Sequence, residues 1–186
     1  MKKIIVNKFI IKKDVKGYGV YAARDFKKGE KIHVLGGKIS TPKSIALHQK
    51  NFKRGIIDPL QIGDDKYLEL DALSVKFNHS CDPNASLREM STLYAFKNIK
   101  KGEEITYDYS TTIDESFWCK CGSKNCRGVI YDFFSLPNKA KRYYFGNNAL
   151  PAHIMKKYKK LLSADCPCGA RDKEGRRIKY KHHHGK

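Results

Sequence analysis

The apolar and polar positions of the chain follow the pattern of short β-strands separated by turns. Apolar and polar residues alternate over residues 67–72 and again over residues 92–96, as they do in half-buried strands. Residues 4–11 are rich in β-branched side chains and predict an opening strand. Helical patterns are few and lie over residues 44–52 and 154–162. The sequence therefore predicts a mainly β protein with short helices.

Two turn segments combine backbone flexibility with reactive side chains. Residues 17–22 begin Gly-Tyr-Gly, and these glycines suit either an ordinary hairpin turn or a backbone that approaches a ligand closely. Residues 78–85 read Asn-His-Ser-Cys-Asp-Pro-Asn-Ala. Polar side chains at this density are hard to explain by packing alone. We expect a sharp turn there that presents side chains at a site.

The charge of the chain is strongly positive and concentrated near its end. The formal net charge is +19 over 186 residues. Residues 1–130 contain 24 Lys and Arg against 15 Asp and Glu, whereas residues 131–186 contain 14 against 4. A tail this basic favours polyanionic partners such as nucleic acid, chromatin or the ribosome. The alternative is that these are simply the solvated faces of a lysine-rich protein.

The length of the chain fits one domain with a modest appendage. It has no apolar run of about 18 residues, and charge interrupts its first residues, so we predict no membrane span, no membrane partner and no secretory signal. These features indicate a soluble protein of a reducing compartment, the cytoplasm or the nucleus. Export as an effector by another route stays open.

The six cysteines are spaced like metal ligands rather than like a disulfide framework. Cys119, Cys121 and Cys126 supply three thiolates, one short of a tetrahedral zinc site. Cys81, in the second turn segment, is the natural fourth ligand. A reduced cluster without metal is the alternative.

Four segments occur in an order that carries a family resemblance. They are residues 17–22, residues 78–85, the run Gly-Glu-Glu-Ile-Thr-Tyr-Asp-Tyr at residues 102–109, and the cysteine-rich run at residues 119–128. In this order they resemble the SET domain of protein-lysine methyltransferases and its post-SET tail. The resemblance covers roughly residues 5–130.

This resemblance implies a fold of small curved sheets with a knot-like C-terminal core. It divides the chain into a SET domain at residues 5–110, a post-SET zinc segment at residues 111–130 and a basic extension at residues 131–186. The extension is expected to contain a helix and a small zinc motif.

The small zinc motif is suggested by the end of the chain. Cys-Pro-Cys-Gly at residues 166–169 and the later His-His-Gly resemble the zinc-binding SEC-C motif, with an Arg-rich middle and His where a Cys is usual. A disordered basic tail or the remnant of an affinity tag is the alternative. The ligands that this resemblance implies are Cys166, Cys168, His183 and His184.

The SET resemblance implies methyl transfer from S-adenosylmethionine to a lysine of a protein substrate. Tyr109 matches the catalytic tyrosine, and Tyr107 matches the position that limits the number of methyl groups, where a tyrosine implies mono- or dimethylation. Tyr67 is a third catalytic candidate, for the aromatic wall of a lysine channel. Where relatives commonly show Glu-Tyr-x-Gly-Glu, this chain has His-Val-Leu-Gly-Gly at residues 33–37. The residues expected at the cofactor are Gly17, Tyr18, Gly19, Asn78, His79 and Trp118.

The competing interpretation is a non-catalytic SET-fold module that binds nucleic acid or the ribosome through its basic tail. Tyr109 and the pair Asn78-His79 are intact, which favours an enzyme. We therefore predict a zinc-containing protein-lysine N-methyltransferase that depends on S-adenosylmethionine.

Overall fold

The structure is a computed structural model that describes residues 4–14, 17–51, 59–113 and 116–186. Its strands and helices are short. The strands are β1 Ile4–Val6, β2 Phe9–Asp14, β3 Gly17–Ala22, β4 Lys31–Val34, β5 Gly37–Ser40, β6 Pro59–Gln61, β7 Tyr67–Leu70, β8 Asn78–His79, β9 Ala85–Arg88, β10 Thr92–Ala95, β11 Thr106–Tyr107, β12 Phe117–Trp118 and β13 Val129–Ile130. The α-helices are α1 Pro42–Asn51, α2 Asn138–Gly146 and α3 Ala152–Ser163.

Within the described ranges these strands form five small sheets. Three sheets have three antiparallel strands each, in the orders β1-β2-β3, β4-β10-β9 and β5-β7-β6. The antiparallel pair β12-β13 and the parallel pair β8-β11 complete the set. The predicted fold class, mainly β with short helices, is confirmed.

The predicted opening strand is wrong in one respect, because the structure makes it a hairpin. Val6 pairs with Phe9, and the turn between β1 and β2 is made by residues 7 and 8. Asn7 adopts a positive φ of 52°, which asparagine tolerates better than most residues. The β-branched residues on both sides of the turn hid it from the sequence pattern.

The glycine-rich segment is also placed differently from the prediction. All six residues of Gly17–Ala22 belong to β3, which pairs along its length with β2. The glycines are thus strand residues beside their hairpin rather than the turn itself. Gly17 begins the strand with a φ of 112°, a value that favours glycine.

The main core fills the space between the sheets of the first part of the chain. Side chains from β3, β4, β9 and β10 meet there and are almost completely buried. Its members include Val20, Ile32, Leu87, Leu93, Ile99 and Ile105.

A second, smaller core joins the C-terminal helices to the rest of the protein. Phe96, which directly follows β10, packs with the buried residues of α2 and α3, among them Tyr144 and Tyr158. The helix predicted over residues 154–162 corresponds to α3, whereas α2 was not predicted. Among the described residues, none of the helices has the length and apolar character needed to cross a membrane.

Candidate functional site

The parallel pairing of β8 with β11 brings two distant motifs together. Asn78 lies opposite Thr106, and His79 lies opposite Tyr107. Asn84 stabilises this junction, because its side-chain oxygen accepts from the Thr106 N–H at 3.0 Å and its amide donates to the Glu104 carbonyl at 2.8 Å. Asn84, in the polar turn segment at residues 78–85, therefore fixes the position of β11 through these two hydrogen bonds.

Tyr107 and Tyr109 form an aromatic pair at the end of β11. Their ring centroids lie 4.8 Å apart with the rings tilted by 47°. Tyr107 is 4% exposed, while Tyr109 is half-buried and its hydroxyl donates to the Phe77 carbonyl at 2.8 Å. The Tyr109 hydroxyl is thus held at a fixed position, as a group that orients a reacting amine needs to be.

Tyr67, the third candidate, lies on β7 and is half-buried. It pairs with Gln61 of β6, whose N–H donates to the Thr112 carbonyl at 2.9 Å. Thr112 follows the 3₁₀ turn that begins at Tyr109. The β5-β7-β6 sheet is therefore hydrogen-bonded to the segment that follows the tyrosine pair.

The strand β3 approaches Asn78 closely. The Asn78 amide donates to the Tyr18 carbonyl at 3.1 Å and to Glu104 Oε1 at 2.7 Å. A Cβ on Gly19 would lie 2.6 Å from Glu104 Oε1 and 3.2 Å from Asn78 Nδ2, so only glycine fits without a shift of these side chains. The predicted cofactor residues Gly19, Tyr18 and Asn78 are thus neighbours.

Gly17 borders open space, and the aromatic rings of two candidate cofactor residues are exposed. A Cβ added to Gly17 would meet no atom within 4 Å. Tyr18 is 51% exposed and Trp118, on β12, is 81% exposed. Exposed aromatic rings and bare backbone suit a nucleoside, which combines a flat base with polar ribose hydroxyls. These residues therefore fit an adenosine-containing cofactor.

The first cysteine cluster includes His79 of β8 and therefore adjoins the candidate cofactor residues. The metal-binding atoms of His79, Cys81, Cys119 and Cys121 all lie within 4.8 Å of one another. Cys81 Sγ and Cys119 Sγ are 3.6 Å apart, a separation that suits two ligands of one tetrahedral zinc ion. Cys126 lies outside this group of four, with its thiol 3.8 Å from the Cys119 carbonyl.

His79 has a protonation pattern that bears on its role in this cluster. The Tyr109 N–H lies 3.1 Å from Nδ1, and Nδ1 is also 3.6 Å from Asp108 Oδ1. Burial lowers the pKa of His79 to about 4, so the ring is neutral at pH 7. Nε2 lies 3.2 Å from Cys81 Sγ. A neutral ring with its proton on Nε2 is a partner of that sulfur, whereas one with its proton on Nδ1 offers Nε2 as a metal ligand.

The family model of the SET domain matches residues 17–110, which is just over half of the chain. The chain belongs to the SET-domain family. This match contains the glycines of β3, the polar turn segment at residues 78–85 and the tyrosine pair. It ends before the cysteines of residues 119–126, so it gives no support for or against a post-SET zinc motif.

Several curated proteins with SET domains are similar to this chain. The variant-silencing SET domain-containing protein of Plasmodium falciparum is 34% identical over 145 residues, which cover 67% of this chain and 6% of that protein. The histone-lysine N-methyltransferase TRX1 of Oryza sativa is 27% identical over 145 residues, covering 70% of this chain and 14% of the relative. The histone-lysine N-methyltransferase set-2 of Caenorhabditis elegans is 32% identical over 130 residues, covering 62% and 9%. The chain thus spans only a small part of the length of these relatives.

A buried carboxylate of the SET domain was missed by sequence reasoning. Asp108 lies between the two tyrosines, is 2% exposed, and accepts two hydrogen bonds from Arg127 at 2.7 and 2.9 Å. Although burial alone lowers the pKa of Arg127, its bonds and charge pairing with Asp108 raise it overall. The position of Asp108 between two candidate tyrosines was the available signal. Arg127, which directly follows Cys126, carried none.

The second cysteine cluster lies beyond the SET-domain match and contains the four residues predicted for it. Its metal-binding atoms lie within 4.8 Å of one another. Cys166 Sγ is 3.3 Å from Cys168 Sγ and 3.4 Å from His183 Nδ1. His184 is held by its backbone, since its carbonyl accepts from the side-chain amide of Asn138 on α2. A cluster of two sulfurs and two imidazole nitrogens at these separations fits a tetrahedral zinc ion.

Proposed function

We propose that this chain is a protein-lysine N-methyltransferase that uses S-adenosylmethionine. The observation that carries the proposal is the Tyr107–Tyr109 pair, whose rings lie 4.8 Å apart directly beside the Asn78-His79 strand. An aromatic pair with one anchored hydroxyl suits the binding of a lysine side chain, because aromatic walls accept its aliphatic stem and weaken the hydration of its amine.

The chemistry requires alignment and a neutral amine more than covalent help. A lysine has a reference pKa of about 10.4, so only about one in 2,500 is neutral at pH 7. Desolvation among aromatic rings lowers the pKa of the amine and favours loss of its proton. The nitrogen lone pair would then bond to the methyl carbon as the methyl–sulfur bond breaks and S-adenosylhomocysteine leaves, while the Tyr109 hydroxyl, fixed by Phe77, would orient the amine.

The cofactor would lie along β3 and β8. S-Adenosylmethionine supplies a methyl group already activated on a sulfonium. Asn78 and His79, with the bare backbone at Gly17 and Gly19, would hold it. Trp118 would cover the adenine, since its ring is 81% exposed on a strand close in sequence to the cysteine cluster.

We assign the first zinc ion to Cys81, Cys119, Cys121 and Cys126. This assignment takes the Tyr109 N–H to donate to His79 Nδ1, which places the ring proton on Nε2 and makes His79 a partner of the Cys81 sulfur. Cys126 is the remaining thiol of the segment, and its sulfur lies 3.8 Å from the Cys119 carbonyl. A second zinc ion would be bound by the C-terminal cluster of Cys166, Cys168, His183 and His184.

The substrate in this proposal is a lysine on an exposed segment of a protein. Relatives named histone-lysine N-methyltransferases make histones the first substrates to test. If the substrate is chromatin, the basic extension would contribute to binding, because the excess of Lys and Arg in residues 131–186 would attract nucleosomal DNA. We propose that the product is mono- or dimethyl-lysine.

The test is methyl transfer from labelled S-adenosylmethionine to purified histones and to a lysine-rich cell extract. We expect label in protein and methyl-lysine by mass spectrometry. Tyr109→Phe should lower turnover at least about tenfold, since it removes one orienting hydrogen bond. If the protein binds the cofactor and binds nucleic acid with strong salt dependence but transfers no methyl group, the non-catalytic module is the correct interpretation.

A further inference from the structure

Helix α2 carries Tyr144, whose buried hydroxyl contacts Asp108 in the segment of the tyrosine pair. Tyr144 is 5% exposed, and its Oη donates to Asp108 Oδ2 at 2.7 Å. Asp108 is the residue between Tyr107 and Tyr109. Burial, followed by the negative charge of Asp108, raises the pKa of Tyr144, so the phenol stays protonated and remains a donor.

Asp108 depends on these partners because it is a buried charge. Arg127 neutralises it through two hydrogen bonds, and the Ser110 N–H donates to Oδ1 at 3.1 Å. Tyr144 and Arg127 both donate to Asp108 Oδ2, and Tyr144 does so from helix α2. Three points of attachment fix the orientation of a carboxylate better than two, and with it the backbone on either side.

Helix α2 is itself held firmly on both sides. Tyr144 stacks on Phe96 with ring centroids 6.0 Å apart and belongs to the second core. Arg142 of the same helix donates to the carbonyl of Gly185 at 3.0 Å, and Gly185 directly follows the histidines of the C-terminal cluster. The hydroxyl of Tyr144 therefore comes from a rigid element rather than from a loop.

We propose that Tyr144 is a positioning residue for methyl transfer. Through its hydrogen bond to Asp108 it fixes the backbone between Tyr107 and Tyr109, and so the geometry of both rings. This inference rests on the proposed methyltransferase activity. It makes the C-terminal extension a part of the catalytic unit, whereas the SET-domain match ends at residue 110.

The test compares Tyr144→Phe with Tyr143→Phe, a matched change at the next residue of α2, where the side chain is 53% exposed. For Tyr144→Phe we expect kcat to fall about fivefold while the KM values for cofactor and peptide stay unchanged. The loss should persist at temperatures well below the melting temperature of the variant, and the ratio of mono- to dimethyl product should change. Tyr143→Phe should behave like the unmodified protein.

A second measurement does not depend on activity. Hydrogen exchange of the amides of Ser110 and Thr111, which bond to Asp108, should be faster in Tyr144→Phe than in Tyr143→Phe. Equal exchange and equal kcat in the two variants would overturn the positioning role, as would a kcat loss that disappears on cooling. Absence of methyl transfer in the unmodified protein, with exchange still accelerated in Tyr144→Phe, would instead overturn the proposed function and keep the structural link.

Discussion

The backbone N–H of Tyr109 donates to Nδ1 of His79 at 3.1 Å, and the opposite nitrogen of the same ring lies 3.2 Å from the sulfur of Cys81. A single imidazole thus connects the predicted catalytic tyrosine with the cysteine cluster. Because the N–H can only donate, a ring that accepts it carries its proton on Nε2, and in our proposal His79 is therefore a partner of the cysteine sulfur rather than a zinc ligand.

The ligand assignment predicts different effects of two substitutions on metal content. Cys126→Ser should lower the zinc content by about one ion per chain, because three thiolates hold zinc less tightly than four. His79→Gln should keep the zinc content of the unmodified protein while lowering activity, since the link to Tyr109 is lost. Metal analysis by mass spectrometry of the purified proteins measures this.

The reverse result would show that His79 is the fourth ligand. In that case His79→Gln loses one zinc ion per chain and Cys126→Ser retains it. Cys168→Ser is the control for total metal, because it should remove only the zinc of the C-terminal cluster and leave the first cluster loaded.

The close approach of β3 to Asn78 predicts an effect on cofactor affinity. In Gly19→Ala the new methyl group would meet Glu104 Oε1 at 2.6 Å and push on the Asn78 amide. Overpacking of this kind costs about 1 kcal/mol or more, so we expect the affinity for S-adenosylhomocysteine to fall at least about fivefold. Isothermal titration calorimetry measures it.

Gly146→Ala is the matched control for this substitution. Its added Cβ would meet no atom within 4 Å, and the residue lies at the end of α2. It should bind the cofactor product as the unmodified protein does. Equal affinities for Gly19→Ala and Gly146→Ala would contradict the assignment of β3 to the cofactor site.

The sequence predicted most of the fold because its strands and turns are encoded locally. Alternation over β7 and β10 and the turn chemistry of residues 78–85 require no knowledge of distant residues. Spacing alone marked the cysteines as candidate metal ligands, whereas the histidines of the C-terminal set came from a resemblance, and the first group that the structure brings together contains His79 in place of Cys126. The hairpin at Asn7 was missed because residues on both of its sides favour strands equally.

The contacts that organise the site could not be predicted in this way. Asp108, Arg127 and Tyr144 lie in three separate segments, and nothing in the local sequence indicates that their side chains meet. The proximity of His79 to Tyr109 has the same origin, since it depends on the pairing of β8 with β11. Such contacts follow from topology, which local patterns do not contain.

His153 on helix α3 is expected to make the free energy of unfolding depend on pH. Burial, followed by the nearby charge of Lys157, lowers the pKa of His153 to about 4, and neither ring nitrogen has a hydrogen-bond partner among the described residues. The unfolded chain takes up the proton near pH 6.5, whereas the folded protein resists it. This stabilisation is therefore present above about pH 6.5 and is lost as the pH falls toward 4, by about 1 kcal/mol at pH 5 once solvent screening of the partly exposed ring is allowed for.

Urea unfolding at pH 7.5 and pH 5 measures this dependence in the unmodified protein and in His153→Leu. The variant should lose about 1 kcal/mol less between the two pH values. Loss of zinc at low pH affects both proteins equally and cancels in the comparison. His182→Leu is the control, because His182 is exposed. The same pH dependence in His153→Leu and the unmodified protein would contradict a role for this imidazole.

The number of methyl groups added to the lysine is expected to depend on Tyr107. Its ring is 4% exposed and lies against Tyr109, so a methylated amine finds room only where a hydroxyl or an ordered water gives way. A Tyr hydroxyl can hold such a water, and displacing the water costs about 0.5–1.5 kcal/mol. We therefore expect the native protein to stop at mono- or dimethyl-lysine.

Tyr107→Phe should shift the product toward di- and trimethyl-lysine while keeping activity, because the phenyl ring leaves the water poorly held. The opposing influence would be Val34, which is 47% exposed at a position where the resemblance to SET domains implies a tyrosine, because a smaller side chain there would make a lysine channel wider. Val34→Tyr separates the two effects, since it should restrict the product without touching residue 107. Mass spectrometry of a methylated peptide after long reaction times measures the result. Trimethyl-lysine as the main product of the unmodified enzyme would show that the hydroxyl of Tyr107 does not set the limit.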